Sequence, residues 1–109
     1  IARVERHLEL NPTDARAWYG GGGAWIQLGD EAKGQEWIQR ALALEPENVG
    51  TLYNAACAFS QLGMLDRALD YLESARRNGF AHREWIEHDA DLDPLRSHPR
   101  FLALLSSMK

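Results

Sequence analysis

A 34-residue internal period constrains this chain more than any other feature. Pro12, closing the stretch His7–Pro12, returns as Pro46, closing Ala41–Pro46. Gly29 in Gln27-Leu28-Gly29 returns as Gly63 in Gln61-Leu62-Gly63. Trp18-Tyr19 falls on Leu52-Tyr53, Trp25 on Phe59, and Ala41 on Ala75. A fixed period of this length marks stacked units, each too small to bury its apolar face alone. The 109 residues then divide into segments 1–14, 15–48, 49–82 and 83–109.

Within each unit the apolar spacing is helical. Trp18, Trp25 and Leu28 share one face of a helix over Ala15–Leu28, with Asp14 as N-cap and Gly29 as left-handed C-cap. The spacing predicts a second helix, about Glu31 to Leu44, with Trp37, Ile38, Ala41, Leu42 and Leu44 inward and Glu36 paired with Arg40 outside. Asn48 caps a third over Val49–Leu62, which Gly63 ends. A fourth, about Leu65 to Asn78, turns Leu65, Ala68, Leu69, Leu72 and Ala75 inward and pairs Glu73 with Arg77. Residues 1–11 read as the second helix of a preceding unit, with Ala2, Val4 and Leu8 inward. After Gly79 the period breaks. Trp85 and Ile86 anchor a short helix, Asp93-Pro94 starts another, and Ser97-His98-Pro99 opens a last one carrying Phe101, Leu102, Leu104 and Leu105. The expected fold is an all-α solenoid of α-hairpins, closed by an irregular C-terminal helical cap. Because the sequence opens inside an amphipathic pattern, it reads as a piece of something longer.

Charge excludes several partners. The net charge is −4 and no segment is basic, so a phosphate-neutralising surface for nucleic acid has no source. No uncharged apolar run approaches the ~20 residues of a membrane span. A single cysteine, Cys57, forms no internal disulfide or thiolate cage, which fits a reducing, cytoplasmic setting.

Candidate chemistry fares poorly. Gly20-Gly21-Gly22-Gly23 lacks the preceding strand and the Lys-Ser/Thr ending of a phosphate loop. Read instead as helix, these glycines cost roughly 3–4 kcal/mol against alanine, so the helix is expected to be soft and rescued by Trp18 and Trp25. Asp89, Asp91 and Asp93 imitate the start of a calcium loop, but Pro94 and Arg100 stand where Gly and Glu are needed. Those acids are expected to cap short helices, leaving no metal site. His7, His82, His88 and His98 form no i, i+4 pair. Cys57 lies mid-helix with no partner base in sequence, and the four tryptophans fall on or near core stripes. No catalytic residue and no cofactor is expected, so the chain itself reads as a non-enzyme.

The units resemble tetratricopeptide repeats on Trp18, Gly21-Gly22, Trp25, Gly34, Ile38, Ala41 and Pro46, then on Leu52, Ala55-Ala56, Phe59, Ala68, Leu72 and Ala75. Gly21, Gly34 and Phe80 depart from the usual Leu, Ala and Pro. The tail, with Gly79-Phe80, Trp85, Asp91–Arg96, Pro99-Arg100-Phe101 and Leu104-Leu105, is similar to endings of such arrays in bacterial signalling proteins. Those include nucleotidyl cyclases of the adenylate/guanylate type, Ser/Thr kinases and winged-helix regulators. The resemblance implies a C-terminal regulatory or docking module that binds protein segments.

It also implies a concave groove lined by the first helix of each unit. Register places Arg16, Tyr19, Gly20, Gly23, Ile26 and Gln27 there from one unit, and Tyr53, Asn54, Cys57, Ser60 and Gln61 from the next. Some family members clamp a terminal carboxylate on this face with Lys, Arg and Asn. Asn54 matches one such position, but Tyr19 and Gly23 replace the usual Lys and Asn. The lining therefore points to a neutral peptide, from a partner or from the parent chain itself. A rival expectation is a homodimer through the N-terminal helix, where Val4 and Leu8 would lack full cover.

Overall fold

The computed structural model describes residues 1–108, and every regular element among them is helical. The elements are α1 (Ala2–Leu10), α2 (Ala15–Gln27), α3 (Glu31–Leu44), α4 (Val49–Gln61) and α5 (Leu65–Arg77). Then follow α6 (Arg83–His88), a 3-10 helix (Ala90–Leu95) and α7 (Pro99–Ser107). Helices α2 and α3 form one hairpin, α4 and α5 the next, and both α2 and α3 pack on α4. This is the all-α hairpin solenoid that the period predicts.

The ends of the helices repeat as the sequence does. Asp14 Oδ1 accepts from the Ala17 amide at 3.2 Å, and Asn48 Oδ1 accepts from Thr51 at 3.0 Å. Each side chain satisfies an amide that the first helical turn leaves without a partner. At the other ends Gly29 and Gly63 take φ of 94° and 76°. There the amides of Asp30 and Met64 reach back to the Trp25 and Phe59 carbonyls at 2.9 Å, which closes the last turn.

The glycine run divides by face. A Cβ on Gly21 would come within 2.6 Å of Trp37 Cε3, and one on Gly22 within 3.0 Å of the Gly34 carbonyl oxygen. Gly34 answers from α3, where a Cβ would meet the Gly22 oxygen at 2.8 Å. Close approach of α3 thus needs three of these glycines. Gly20 and Gly23 have nothing within 4 Å of an added Cβ. The helix is held by Trp37, Ile38 and Gly34 across the hairpin rather than by Trp18 and Trp25 alone. Trp18 and Trp25 meet Trp37 edge-on, with ring centroids 5.1 and 6.0 Å away.

The main core lies in the second hairpin and the cap. Phe59, Leu52, Leu69, Leu72, Ile86, Leu92, Leu95 and Phe101 are all essentially inaccessible. Arg100 fastens α7 to α5, donating to Glu73 Oε1 at 2.7 Å and to Asp70 Oδ1 at 2.8 Å.

Several local expectations need correction. Leu28 is 68% exposed because it is the C-cap residue of α2, beyond the last packed turn. Trp85 is 55% exposed: on so short a helix, burying Ile86 turns its neighbour outward. Ala2 is exposed and Leu8 is buried, so of Val4 and Leu8, expected to lack full cover, only Val4 stays partly open. The cap of the 3-10 helix is Asp89, accepting from the Asp91 amide at 3.0 Å, while Pro94 lies inside that helix. Neither surface pair forms as spaced. Arg40 lies over the Trp18 ring, 5.2 Å from its centroid, and Glu73 turns to Arg100.

Candidate functional site

Helices α2 and α4 lie side by side because each is the first helix of its hairpin, one period apart. Their shared face is a depression of about 290 Å³. From α2 it takes Tyr19, Gly20, Gly23, Ala24 and Gln27, and from α4 it takes Asn54, Cys57, Ala58 and Gln61. Ile38 lines its floor and Asp91 enters from the cap. With bare glycines along α2 and alanines beside them, another backbone can come close to both helices. The amides of Gln27, Asn54 and Gln61 and the phenol of Tyr19 supply the polar contacts.

Seven of the eleven residues expected in the groove meet here: Tyr19, Gly20, Gly23, Gln27, Asn54, Cys57 and Gln61. The other four do not. Arg16 is exposed outside the depression, and Ile26 packs against Gly34, where a Cβ would fall 2.5 Å from its Cγ1. Tyr53 and Ser60 are buried, at 8% and 1% exposure. At Tyr53 the reason is the cap, which covers a part of α4 that register alone would leave open. Tyr53 stacks on Phe80 with centroids 4.7 Å apart and meets Trp85 edge-on.

The cap also carries charge to this end of the depression. Tyr53 donates to Asp89 Oδ2 at 2.7 Å, and Cys57 Sγ reaches the same oxygen at 3.6 Å. Gln61 Nε2 donates to Asp91 Oδ1 at 2.7 Å. Burial pushes the Cys57 thiol well up, and the Asp89 and Asp91 charges push it further. It stays protonated at neutral pH, the opposite of what a nucleophilic thiol requires. Burial and the bond to Asp89 likewise hold Tyr53 in its phenol form. Cys57, Asp89 and Asp91 bring potential metal-ligand atoms within 4.8 Å of one another. Asp89 accepts from Tyr53, Cys57 and the Asp91 amide, and Asp91 Oδ1 accepts from Gln61.

The histidines are dispersed. His7 bonds Asp14 at 2.7 Å, His82 stacks on Trp85, and His98 Nδ1 accepts from the Arg100 amide. Ala24, Ala58, Ile38 and Asp91 line the groove without being among the residues expected there. The first two stand one period apart on the face of Gly20 and Asn54, so the repeat could have found them. Asp91 belongs to the non-repeating cap, where no period fixes its place.

No helix among the described residues is long and apolar enough to cross a membrane. No curated protein sequence matches this chain. Residues 49–75, which form α4 and most of α5, match the family model for a tetratricopeptide repeat, a unit that supports a protein–protein interaction module.

Proposed function

We propose that the chain is a non-catalytic interaction module that holds a peptide segment in the depression between α2 and α4. The observation that carries this reading is the open strip at Gly20 and Gly23, where an added Cβ meets nothing. A helix tolerates exposed glycine at a cost, and here that cost leaves room for a second backbone. The tail's similarity to repeat arrays of bacterial signalling proteins supports a cytoplasmic, C-terminal docking part of a larger chain, such as a nucleotidyl cyclase.

The test is selection of random peptides on the wild-type protein, followed by calorimetric titration against Gly23→Leu. A leucine there starts from a Cβ that meets no neighbour and extends into the strip, so the fold should be kept, as a thermal melt checks, while binding falls at least about tenfold. Selected peptides that bind Gly23→Leu unchanged, or no specific peptide at all, would remove the groove from consideration.

A second reading, self-association, has its own observation. Arg3, Val4, His7, Ala17, Gly20 and Gly21 line a largely apolar depression between α1 and α2. One period on, Ile38, Ala41, Thr51 and Ala55 stand at four of these positions and are 0–1% exposed. The depression is therefore shaped as a seat for one more helix, which a second copy could supply. Sedimentation at high micromolar concentration distinguishes the cases. A dimer abolished by Val4→Glu supports this reading, and a wild-type monomer throughout ends it.

A further inference from the structure

We infer that the segment held between α2 and α4 carries a Lys or Arg side chain, seated at the Asp91 end of the depression. This rests on the peptide-binding reading and gives it a polarity. The repeats alone make the lining neutral, since Tyr19, Gly23, Gln27, Asn54 and Gln61 carry no charge. The cap changes that. Among the described residues Asp91 is the one charged side chain that lines the depression, and Asp89 stands immediately behind it against Cys57.

Among the described residues no cation lines the depression to balance them. Arg96, the basic residue of the neighbouring segment, is engaged by Asp93 Oδ1 at 2.6 Å and by the Asp89 carbonyl oxygen at 2.8 Å. Asp91 spends Oδ1 on Gln61 and has no protein partner on Oδ2 among the described residues. A carboxylate half-withdrawn from water, lining a concave surface and with one oxygen unpartnered, favours an ammonium or guanidinium and repels an anion. The same field disfavours a terminal carboxylate, so the charge preference is opposite to that of a carboxylate clamp. The long aliphatic stem of Lys or Arg suits the path to this end, over Ala58 and Cys57.

Random dodecapeptides selected on the wild-type protein provide the probe. Among clones that lose affinity on Gly23→Leu, a Lys or Arg recurs at one position. Exchanging it for norleucine weakens binding about tenfold on the wild type. On Asp91→Asn, which keeps the acceptor for Gln61, the same exchange has at most about a twofold effect. Groove-dependent clones with no fixed cation, or equal losses on both proteins, overturn the cation assignment and leave the groove standing. Clones indifferent to Gly23→Leu overturn both.

Discussion

The Tyr53 hydroxyl donates to Asp89 Oδ2 across 2.7 Å, joining the second repeat to the N-cap residue of the 3-10 helix in the irregular cap. The ring beneath it is stacked on Phe80. Tyr53 is therefore a structural bolt and not a free groove residue. Replacing the hydroxyl alone, in Tyr53→Phe, leaves a half-buried carboxylate short of a donor and costs about 1–3 kcal/mol. Removing the ring, in Tyr53→Ala, costs about 3–5 kcal/mol. Urea denaturation should rank the two in that order. Equal stability of wild type and Tyr53→Phe would show that the bond contributes nothing.

The four consecutive glycines should respond to alanine in two opposite ways. Gly20→Ala and Gly23→Ala each stabilise by about 0.5–1 kcal/mol, since helix propensity improves and the new methyl meets nothing. Gly21→Ala and Gly22→Ala each destabilise by about 1–3 kcal/mol, because the methyl drives into Trp37 or the Gly34 carbonyl. Thermal melts of the four single variants decide it, and one common sign for all four contradicts the division by face.

That division also shows what the sequence could and could not reveal. The period and the caps at Asp14, Asn48, Gly29 and Gly63 are local signals, so helix order and hairpin pairing were legible. Which glycine faces α3 depends on the side chains of a different helix, and only packing reveals it. Register brings Tyr19, Gly23, Asn54 and Gln61 to one depression, where both flanking units repeat. It missed at Tyr53 because the cover there, from Phe80, Trp85 and Asp89, follows the point where the period breaks. Trp85 went wrong for a related reason. In a six-residue helix one buried residue, Ile86, decides the orientation, and an aromatic beside it has no periodic stripe to join.

Alkaline pH should weaken the fold through Cys57 and Tyr53. Burial raises both above their ordinary values of 9.0 and 10.0. Groups raised in the folded state favour it fully below the unfolded value, and the advantage is lost as pH climbs past that value. Stability should therefore hold to about pH 9 and then fall. Urea midpoints from pH 8 to 11 give the slope, and Cys57→Ala should make it shallower. The same burial keeps the thiol slow towards disulfide reagents at neutral pH in the native state. A slope that Cys57→Ala leaves untouched would count against the thiol's part in it.

Arg100 should act as a salt-sensitive latch on the cap. Its guanidinium spans Glu73 and Asp70 of α5, but the group is about one-third exposed, so solvent screening limits its worth. Arg100→Met keeps the aliphatic stem and should cost about 1 kcal/mol at low salt. That corresponds to a fall in Tm of roughly 4–8 °C. In about 1 M salt, where the Debye length shrinks to about 3 Å, the gap between variant and wild type should narrow. Glu73→Gln should reproduce part of the loss, and adding it to Arg100→Met should cost little more, since the pair is already broken. Additive losses would mean that the two side chains stabilise the cap independently.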